Sequence, residues 1–481
     1  MSTSFFWHDY ETFGLSPRRD RPAQFAGLRT DAQLREIGEP LTLYCKPAPD
    51  TLPQPEACLL TGILPQTAEQ RGVAEHAFAA AIEAELAQPG TIGVGYNSIR
   101  FDDEVTRFLF WRNLIDPYAR EWQNGCGRWD LLDVVRTVWA LRPEGIEWPQ
   151  HDDGRPSFKL EQLSAANGLA HESAHDALSD VRATLALARL VRERKPRLWA
   201  FCLGLRSKAR VQEELAAARS REGAFLHLSG RYPAERGCMA VVWPLAPHPV
   251  NRNELIVWDL AQDPALLRGL DAAAIRARIF SAADALPQGT QRLPIKTIHI
   301  NRAPVVIANL GTLTPPVLQR WQLDLDAARR HAEQAARVAD EMAGVWGAVY
   351  ARERDDAADA VDVDEDLYGG FLGDDDRRSL QRLRGLDGAA LASRRVAFTD
   401  GRLDELLFRF RARNFPATLD ADEQARWLAH CAARLHHGAG GALTLAAFFE
   451  RIDALSENVD ERGEAILGAL YDWAERIAPP A

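Results

Sequence analysis

The first 190 residues alternate apolar strand signals with amphipathic helix signals, and this alternation limits the possible folds more than any other feature of the chain. Apolar residues at every second position are typical of a strand, and apolar residues at every third or fourth position are typical of a helix. Strands that come first as a meander and then alternate with helices indicate a mixed β-sheet covered by helices. The pattern predicts strands at 5–11, 24–29, 41–46 and 91–96, and helices at 74–87, 102–111 and 179–194.

Two further domains are predicted after this α/β domain. Lys195-Pro196 ends its last helix, and short β-rich runs punctuated by Pro, Gly and Asn then extend to about residue 350. These runs indicate a small β-barrel or sandwich with helical additions. From Leu380 onward helical patterns dominate, with Trp427 and Leu428 as predicted core positions. The predicted domains are 5–192, 196–351 and 356–478.

The composition is that of an ordinary globular protein, with 481 residues, of which 46% are hydrophobic and 26% are charged. No stretch approaches the ~20 consecutive apolar residues that a membrane-spanning helix needs. The first residues lack the basic start and the apolar run of a signal peptide, which predicts a cytoplasmic protein without membrane attachment. The six cysteines are scattered without zinc-ligand spacing, so we expect reduced, structural thiols.

The net charge of −11 at first argues against a nucleic-acid partner, but most of this charge lies in one window. Residues 353–376 contain eleven acidic side chains and one basic side chain, Arg354, and so contribute −10. The rest of the chain is therefore close to neutral at −1, and it can carry local basic stripes that would bind DNA. The window itself is predicted to be a solvated linker or an exposed loop.

The first strand carries two acidic residues within the segment 8–12. Side chains two positions apart on a strand point to the same face, so Asp9 and Glu11 project side by side. The apolar run at 5–7 indicates a buried strand, where two carboxylates repel each other unless a cation lies between them. The pair therefore favours a magnesium site, although a solvent-facing Asp-x-Glu is the alternative that the pair by itself leaves open.

Two more segments carry candidate acids. Asp102 begins a predicted helix after the strand at 91–96, but Asp103 would suit the helix dipole equally well, so the spacing does not separate the two. Further on, Asp176 is a predicted N-cap, which places His175 on the loop before a helix and Asp180 inside that helix. A histidine there can reach a metal-bound water, although a hydrogen-bonded surface histidine is the alternative for His175 alone.

Together these segments supply four carboxylates and one histidine in one α/β domain. Such a set can hold two magnesium ions about 4 Å apart. One ion activates water, and both stabilise the charge that develops on the phosphate and on the leaving 3′ oxygen. A histidine, with an unperturbed pKa near ~6.5, can accept the proton of the attacking water. The ordered set therefore predicts metal-dependent phosphodiester hydrolysis.

Longer stretches carry a resemblance to a known family. They include His8-Asp-Tyr-Glu-Thr-Phe-Gly, Phe101-Asp-Asp-Glu-Val-Thr-Arg and Arg128-Trp-Asp-Leu-Leu-Asp-Val, with Asn251-Arg-Asn and Arg411-Ala-Arg-Asn-Phe-Pro further along the chain. Over nearly its whole length the chain resembles the DEDDh exonucleases and, within them, the bacterial exodeoxyribonuclease I group. The resemblance implies an α/β ribonuclease H-like nuclease domain, an SH3-like β-barrel domain with helical additions and an α-helical C-terminal domain, closed around single-stranded DNA.

The resemblance also implies roles for the acids. Asp9, Glu11, Asp102 and Asp180 match the four metal-binding acids of the family, which favours Asp102 over Asp103, and His175 matches its general base. The implied cofactor is Mg²⁺, two ions per site, with Mn²⁺ as a possible substitute. The implied reaction is the processive removal of 5′-mononucleotides from the 3′ end of single-stranded DNA. The implied partner besides DNA is the acidic C-terminal tail of single-stranded DNA-binding protein, and the implied setting is DNA repair and recombination by a monomer.

Contacts with the DNA strand are implied in the same way. A cation pairs with the DNA backbone and an aromatic ring stacks on a base, which contributes ~1–3 kcal/mol per base. A place in the core is the alternative for the two aromatic residues, and Lys159 stands where relatives carry Arg, so it lacks a bidentate fork. Two other functions remain as alternatives: an inactive clamp on single-stranded DNA, and a 3′–5′ exonuclease that acts on RNA. The implied contacts are Glu11, Arg107, Tyr118, Trp122, Arg136 and Lys159.

Overall fold

The computed structural model describes residues 3–170, 176–351 and 361–480. The chain divides into two compact units. The first unit combines residues 1–127, 171–185 and 359–481, and the second combines residues 128–170 and 186–358. Residues 1–127 and 359–481 therefore belong to one unit although more than 200 residues separate them in sequence.

The N-terminal region contains the predicted strands and helices, with boundaries that differ by a few residues. Three short helices, one strand and one longer helix were not predicted. The elements are β1 (Ser4–Thr12), β2 (Pro22–Thr30), β3 (Leu41–Tyr44), α1 (Pro55–Thr61), α2 (Pro65–Arg71), α3 (Glu75–Leu86), β4 (Thr91–Gly95), α4 (Asp102–Arg112), β5 (Gly127–Asp130), α5 (Leu131–Leu141), α6 (Leu160–Ala166) and α7 (Ala177–Arg194).

The predicted mixed sheet is confirmed, with the strand order β3-β2-β1-β4-β5. The strand β1 lies antiparallel to β2, where Asp9 is opposite Ala26, and parallel to β4, where Trp7 is opposite Val94. Phe6 and Tyr10 of β1 pack with Phe25, Phe78 and other buried side chains in one hydrophobic cluster. Burial of this apolar face orients β1 and so fixes which of its residues point to the other face.

The second unit contains the predicted β-rich region with its helical additions. Its sheet has the antiparallel order β10-β6-β7-β8-β9. The elements of this region are α8 (Pro196–Gly204), α9 (Lys208–Arg219), β6 (Phe225–Leu228), β7 (Met239–Pro247), β8 (Glu254–Asp259), α10 (Ala272–Phe280), β9 (Ile295–His299), β10 (Val305–Ile307), α11 (Pro315–Trp321), α12 (Leu325–Glu341) and α13 (Trp346–Val349).

The C-terminal third is helical, as predicted. Trp427 is buried but Leu428 is exposed, because the next helical position turns by about 100° away from the core. None of the helices in the described ranges is long and apolar enough to cross a membrane. All six cysteines are described, and none forms a disulfide. The helices are α14 (Asp374–Leu383), α15 (Gly388–Ser393), α16 (Arg402–Asn414), α17 (Ala421–His437), α18 (Leu445–Ser456) and α19 (Glu461–Ile477).

Two hydrophobic clusters join the N-terminal region to the C-terminal helices within the first unit. In one cluster, Cys58 of α1 packs with Phe448 of α18 and Leu467 of α19. In the other, Phe108 of α4 packs with Leu403 of α16 and its neighbours. The mixed sheet of this unit is therefore supported by residues from the far end of the chain.

The prediction of a solvated acidic linker is wrong for residues 362–366. Asp364 is 3% exposed, lies 3.1 Å from Arg21 and pairs with Arg413, and Asp362 lies 2.7 Å from Arg409. The local composition looks solvated because the partners of these acids come from distant parts of the sequence. Residues 352–360 of the acidic window lie outside the described residues. We call Asp50, Asp362 and Asp364, which share these arginines, the arginine-bound acid cluster.

Candidate active site

Three predicted acids meet at one place in the first unit. Asp9 and Glu11 lie on the same face of β1, and Asp180 lies in the first turn of α7. One carboxylate oxygen from each residue lies within 4.8 Å of the others. Carboxylate oxygens are the ligands that Mg²⁺ and similar hard cations prefer. Together with Asp102, these residues form what we call the catalytic acid cluster.

The structure distinguishes the two neighbouring aspartates at the start of α4. Oδ1 of Asp102 accepts a hydrogen bond from the backbone N–H of Tyr10, at 3.1 Å. Tyr10 is the residue between Asp9 and Glu11 on β1, so the carboxylate of Asp102 lies beside that strand. The carboxylate of Asp103 instead lies 2.6 Å from Nη2 of Arg120, and both side chains are buried. Asp102 is therefore the acid of this pair that adds its charge to the catalytic acid cluster.

The electrostatics of the cluster favour a bound cation. Burial raises the pKa of Asp9 well above its usual range, and the charges of Asp102, Glu11 and Asp180 raise it further. Burial and then the charges of Asp180, Asp102 and Asp176 raise the pKa of Glu11 to about 8. The charges that act on both carboxyl groups are those of other carboxylates. A divalent cation would relieve this repulsion, so the residues present fit a metal site.

Aromatic side chains lie on another part of the same unit. Trp122 is 67% exposed, which excludes the alternative that it is a core residue. The half-buried ring of Tyr118 has its centroid 6.3 Å from that of Phe371, which is 87% exposed. The guanidinium of Arg107 lies 5.3 Å from the Tyr118 ring centroid. Exposed rings of this kind offer stacking surfaces for unpaired bases.

Arg107 itself is less available than the sequence implied. It is buried, and its guanidinium lies 2.7 Å from Glu121 and 2.8 Å from Glu104. It also donates a hydrogen bond to the hydroxyl of Tyr368, at 3.0 Å. Its charge is thus largely compensated within the protein, and it contacts the ring of Tyr118 and the hydroxyl of Tyr368.

Comparisons with known proteins identify the family of the chain. The family model described as "Exonuclease" matches residues 6–188, "Exonuclease I SH3-like domain" matches 206–352, and "Exonuclease I C-terminal domain" matches 361–477. Exodeoxyribonuclease I of Escherichia coli (strain K12) is 43% identical over 481 residues, which cover 99% of this chain and 98% of the relative. This chain belongs to the exodeoxyribonuclease I family. It is accordingly an exodeoxyribonuclease, an enzyme that hydrolyses phosphodiester bonds.

Other members of the exodeoxyribonuclease I family are also similar over the full chain. The enzyme of Haemophilus influenzae is 42% identical and covers 98% of each chain. A solved exonuclease I from Methylocaldum szegediense is 48% identical, with a TM-score of 0.92 and 99% of each chain covered. E. coli exonuclease I in complex with a dA16 oligonucleotide is 42% identical, with a TM-score of 0.91, and 99% of this chain and 100% of that chain are covered. These findings confirm the ribonuclease H-like, SH3-like and helical domains.

The predicted base of the exonuclease, His175, lies outside the described residues. The helix that follows it begins as predicted, because the carboxylate of Asp176 accepts a hydrogen bond from the N–H of Ser179, at 3.2 Å. The neighbouring histidine on β1, His8, is buried on the opposite strand face from Asp9. Burial and the charge of Arg120 lower the pKa of His8 to about 4, so it stays neutral and does not serve the acid cluster.

The remaining predicted DNA contacts, Arg136 and Lys159, lie in the second unit. Arg136 lies 2.7 Å from Asp133, and its guanidinium is 5.8 Å from the ring centroid of Phe158. Lys159 has an exposed side chain whose Nζ lies 3.9 Å from Glu161. Only Lys159 of these two offers a largely solvated cation to a ligand.

Sequence reasoning missed two features of the exonuclease. One is the exposed ring of Phe371. The sequence feature that could have predicted its exposure is its place in the glycine-rich segment 369–373. The other is the pair of Asp103 and Arg120. Its signal was weaker, because Arg120 lies 17 residues after Asp103 in a region without a strong helical or strand pattern.

Proposed function

We propose that this exodeoxyribonuclease removes nucleotides one at a time from the 3′ end of single-stranded DNA, with two divalent cations held by the catalytic acid cluster. The observation that carries the proposal is the meeting of Asp9, Glu11 and Asp180 within 4.8 Å, with Asp102 beside them. Among the described residues, the charges that raise the pKa of Asp9 and Glu11 are those of other carboxylates. Mg²⁺ is the proposed cation and Mn²⁺ a substitute, because both accept carboxylate oxygens. A relative, E. coli exonuclease I, has been solved as a zinc-bound form in complex with single-stranded DNA, which supports a bound metal in this proposal.

The side chains have separate tasks in this proposal. When bound, the cations supply an activated water and offset negative charge on the phosphate. Asp9 and Glu11, fixed by the pleat of β1, and Asp180, fixed by α7, would hold them, and Asp102 would complete the set from α4. Glu11 would also contact the terminal nucleotide. Glu11 and Asp102 are buried and Asp9 and Asp180 are half-buried, so the protein around the cluster would hold these carboxylates in fixed orientations toward the cations.

His175 is the proposed general base. Its support is its place in sequence: it directly precedes Asp176, which caps the helix that carries Asp180. A histidine with a pKa near ~6.5 can accept a proton from water at neutral pH. The buried His8, with its lowered pKa and its place on the other strand face, offers no rival in the described part of the chain.

The DNA strand is proposed to run along the aromatic surface of the first unit. Tyr118, Trp122 and Phe371 would stack on bases. For Arg136 and Lys159, contacts with phosphates are proposed from the resemblance to the family alone. The E. coli relatives solved with dA16 and with other oligonucleotides support single-stranded DNA as the ligand. A strand held at several bases can advance without release, so we propose processive release of 5′-mononucleotides.

The wider role is proposed from family membership. It comprises action in the cytoplasm as a monomer, in DNA repair and recombination, and binding of the acidic C-terminal tail of single-stranded DNA-binding protein. The support for these points is the likeness to exodeoxyribonuclease I enzymes along the full chain.

The deciding experiment uses a single-stranded DNA oligonucleotide labelled at its 5′ end, incubated with Mg²⁺ or with a chelator. We expect a Mg²⁺-dependent ladder that shortens from the 3′ end and that disappears when the 3′ terminus is blocked. An RNA strand of matching sequence should be degraded far more slowly. Equal degradation of RNA would move the assignment to an RNA exonuclease, and retained DNA binding without cleavage would indicate an inactive clamp.

Variants connect the activity to the site. His175→Ala should bind DNA but lose most cleavage, whereas Asp453→Asn, an exposed aspartate of α18, should behave as wild type. Cleavage by His175→Ala at the wild-type rate would refute the assignment of the base. Equal losses in both variants would point to a preparation artefact and not to chemistry at the site, which is why Asp453→Asn is the matched control.

A further inference from the structure

A buried ion pair lies directly beside one of the proposed metal-binding acids. Asp103 follows Asp102 in the first turn of α4, and its carboxylate lies 2.6 Å from Nη2 of Arg120, with both side chains excluded from water. Burying two charges carries a desolvation cost that the attraction between them only partly offsets, so such a pair is weak evidence for stability alone. The contacts of this pair indicate that it holds the backbone near Asp102 in place.

The pair fixes the start of α4 against the sheet. The backbone N–H of Asp103 donates to the carbonyl of Ser98, at 2.9 Å, in the loop that follows β4. Nη1 of Arg120 lies 3.3 Å from the position that a Cβ on Gly93 would take, so the guanidinium packs directly on β4. The strand β4 is the parallel neighbour of β1, which carries Asp9 and Glu11. Asp103 and Arg120 therefore link the helix that presents Asp102 to the sheet that presents the other acids.

Asp102 is held from its other side by β1. Its Oδ1 accepts from the N–H of Tyr10, and Oγ1 of Thr106 lies 2.8 Å from its carbonyl and 3.0 Å from the Tyr10 hydroxyl. Consecutive residues of a helix are rotated by about 100°, so a small rotation of the first turn would swing the Asp102 carboxylate along β1. Displacement of a reacting geometry by about 1 Å can cost ~100-fold in rate.

The guanidinium of Arg120 depends on Asp103. In the described part of the chain, Nε and Nη1 of Arg120 have no hydrogen-bond partner, and neither has Nε2 of the nearby His8. Loss of the Asp103 charge would therefore leave a buried cation with one fewer partner next to β4. We expect Arg120 or the first turn of α4 to move in response. Asp102 lies in that turn beside Asp103, so its carboxylate would be displaced as well.

We propose that Asp103 and Arg120 are positioning residues that set the place of Asp102 in the catalytic acid cluster, and this proposal rests on the proposed function of that cluster as a metal site. Neither residue touches the cation or the DNA. Weakening the pair lowers the affinity for Mg²⁺, because outer partners of metal-binding groups typically change metal affinity by about 10–100-fold.

The test compares Asp103→Asn and Arg120→Lys with a matched control, Glu75→Gln. Glu75 lies 2.9 Å from Arg112 at the other end of the same helix, in a pair that is also buried. We expect the two positioning variants to raise the Mg²⁺ concentration for half-maximal cleavage about tenfold or more, and to weaken Mn²⁺ binding measured by calorimetry equally. The KM for DNA should stay within about twofold of wild type. Glu75→Gln should lower the melting temperature without changing either metal readout.

A double variant separates positioning from stability. Replacing both members of a buried pair by uncharged residues often restores stability, so Asp103→Asn with Arg120→Met should regain thermal stability but not Mg²⁺ affinity. Wild-type metal affinity in the folded double variant or in Arg120→Lys would overturn the proposal. If the wild-type enzyme itself shows no Mg²⁺ dependence, the proposed metal site fails first, and that result is read before any variant.

Discussion

Two groups of acids in the first unit differ in the charges that surround them. In the catalytic acid cluster, the groups around Asp9 and Glu11 are other carboxylates, and the pKa of both residues is raised. In the arginine-bound acid cluster, burial alone would also raise the pKa of Asp50 and Asp364. The guanidinium of Arg413, with other cations, overcomes burial and holds the pKa of both acids well below the usual range.

The difference shows how the same residue type acquires opposite roles. Asp50 and Asp364 have their counter-charges within the protein, so this cluster is complete and joins the N-terminal region to α16 and α17. Among the described residues, the charges that act on Asp9 and Glu11 are negative like their own. The charge of that cluster is therefore balanced only when a cation is added. Charge balance, and not the number of acids, distinguishes a structural cluster from a metal site.

The largest effect is expected for Asp9→Asn. Removing one proposed metal-binding carboxylate should lower kcat on single-stranded DNA by about 10³-fold or more, because charge stabilisation in the transition state depends on it. The assay is the initial rate of nucleotide release at saturating Mg²⁺. In the arginine-bound acid cluster, Asp364→Asn, measured at a temperature at which it is folded, should retain wild-type kcat. If the two variants exchanged behaviour, the division between the clusters would be wrong.

Stability should respond in the opposite way. Asp364→Asn should lower the free energy of unfolding by about 3 kcal/mol, because it removes the nearest partner charge of the buried Arg21 and one of the two partner charges of the buried Arg413. Asp374→Asn is the control: that residue has an 81% exposed side chain in a surface pair with Arg377, so a change within ~1 kcal/mol is expected. Urea titration followed by circular dichroism measures both. A loss in Asp364→Asn no larger than in the control would contradict the buried role.

Magnesium should stabilise one cluster and not the other. At about 100 times its dissociation constant, a ligand that binds only the folded protein adds ~2.7 kcal/mol, so the melting temperature of the wild type should rise with Mg²⁺. Asp9→Asn should lose most of this rise, and it should be more stable than the wild type in chelator because one repelling charge is gone. Asp364→Asn should keep the full Mg²⁺ response. Calorimetric scans with Mg²⁺ or chelator decide between these outcomes.

The smallest expected effect is the pH dependence of the free energy of unfolding. Because the folded pKa of Asp50 and Asp364 is depressed, their stabilising contribution is present above the unfolded value of ~3.9 and is lost as the pH falls through and below it. The difference in unfolding free energy between wild type and Asp364→Asn should therefore be constant from pH 7 to about 5 and shrink below about pH 4. Denaturant titrations at successive pH values measure it, and a difference that grows toward low pH would reverse the sign argued here.

The sequence predicted those parts of the site that depend on local periodicity. Asp9 and Glu11 share a face because strand side chains alternate, and Asp176 caps α7 because of its place before the helical pattern. Asp102 and Asp103 could not be separated locally, because both occupy the first helical turn and their difference lies in contacts with Tyr10 and Arg120.

The arginine-bound acid cluster could not be predicted from local pattern. The segment at 362–366 has the composition of a solvated loop, whereas its burial depends on Arg21, 343 residues away in sequence, and on Arg413. Contacts of this range leave no periodic signal. The exposure of Phe371 likewise follows from a glycine-rich loop whose path no local pattern specifies.

The pairing of Asp50 with Arg413 also has a consequence for the newly made chain. Ribosomes add about 5–20 residues per second, and these partners lie 363 positions apart, so Asp50 emerges ~20–70 s before the arginine that neutralises it. Until then Asp50, in the segment between β3 and α1, has only the more distant Arg21, at 4.0 Å, of the arginines that surround it in the described structure. Asp9, Glu11, Asp102 and Asp180 are thus all synthesised early, but the unit that holds them reaches its native packing only when α16 has been translated.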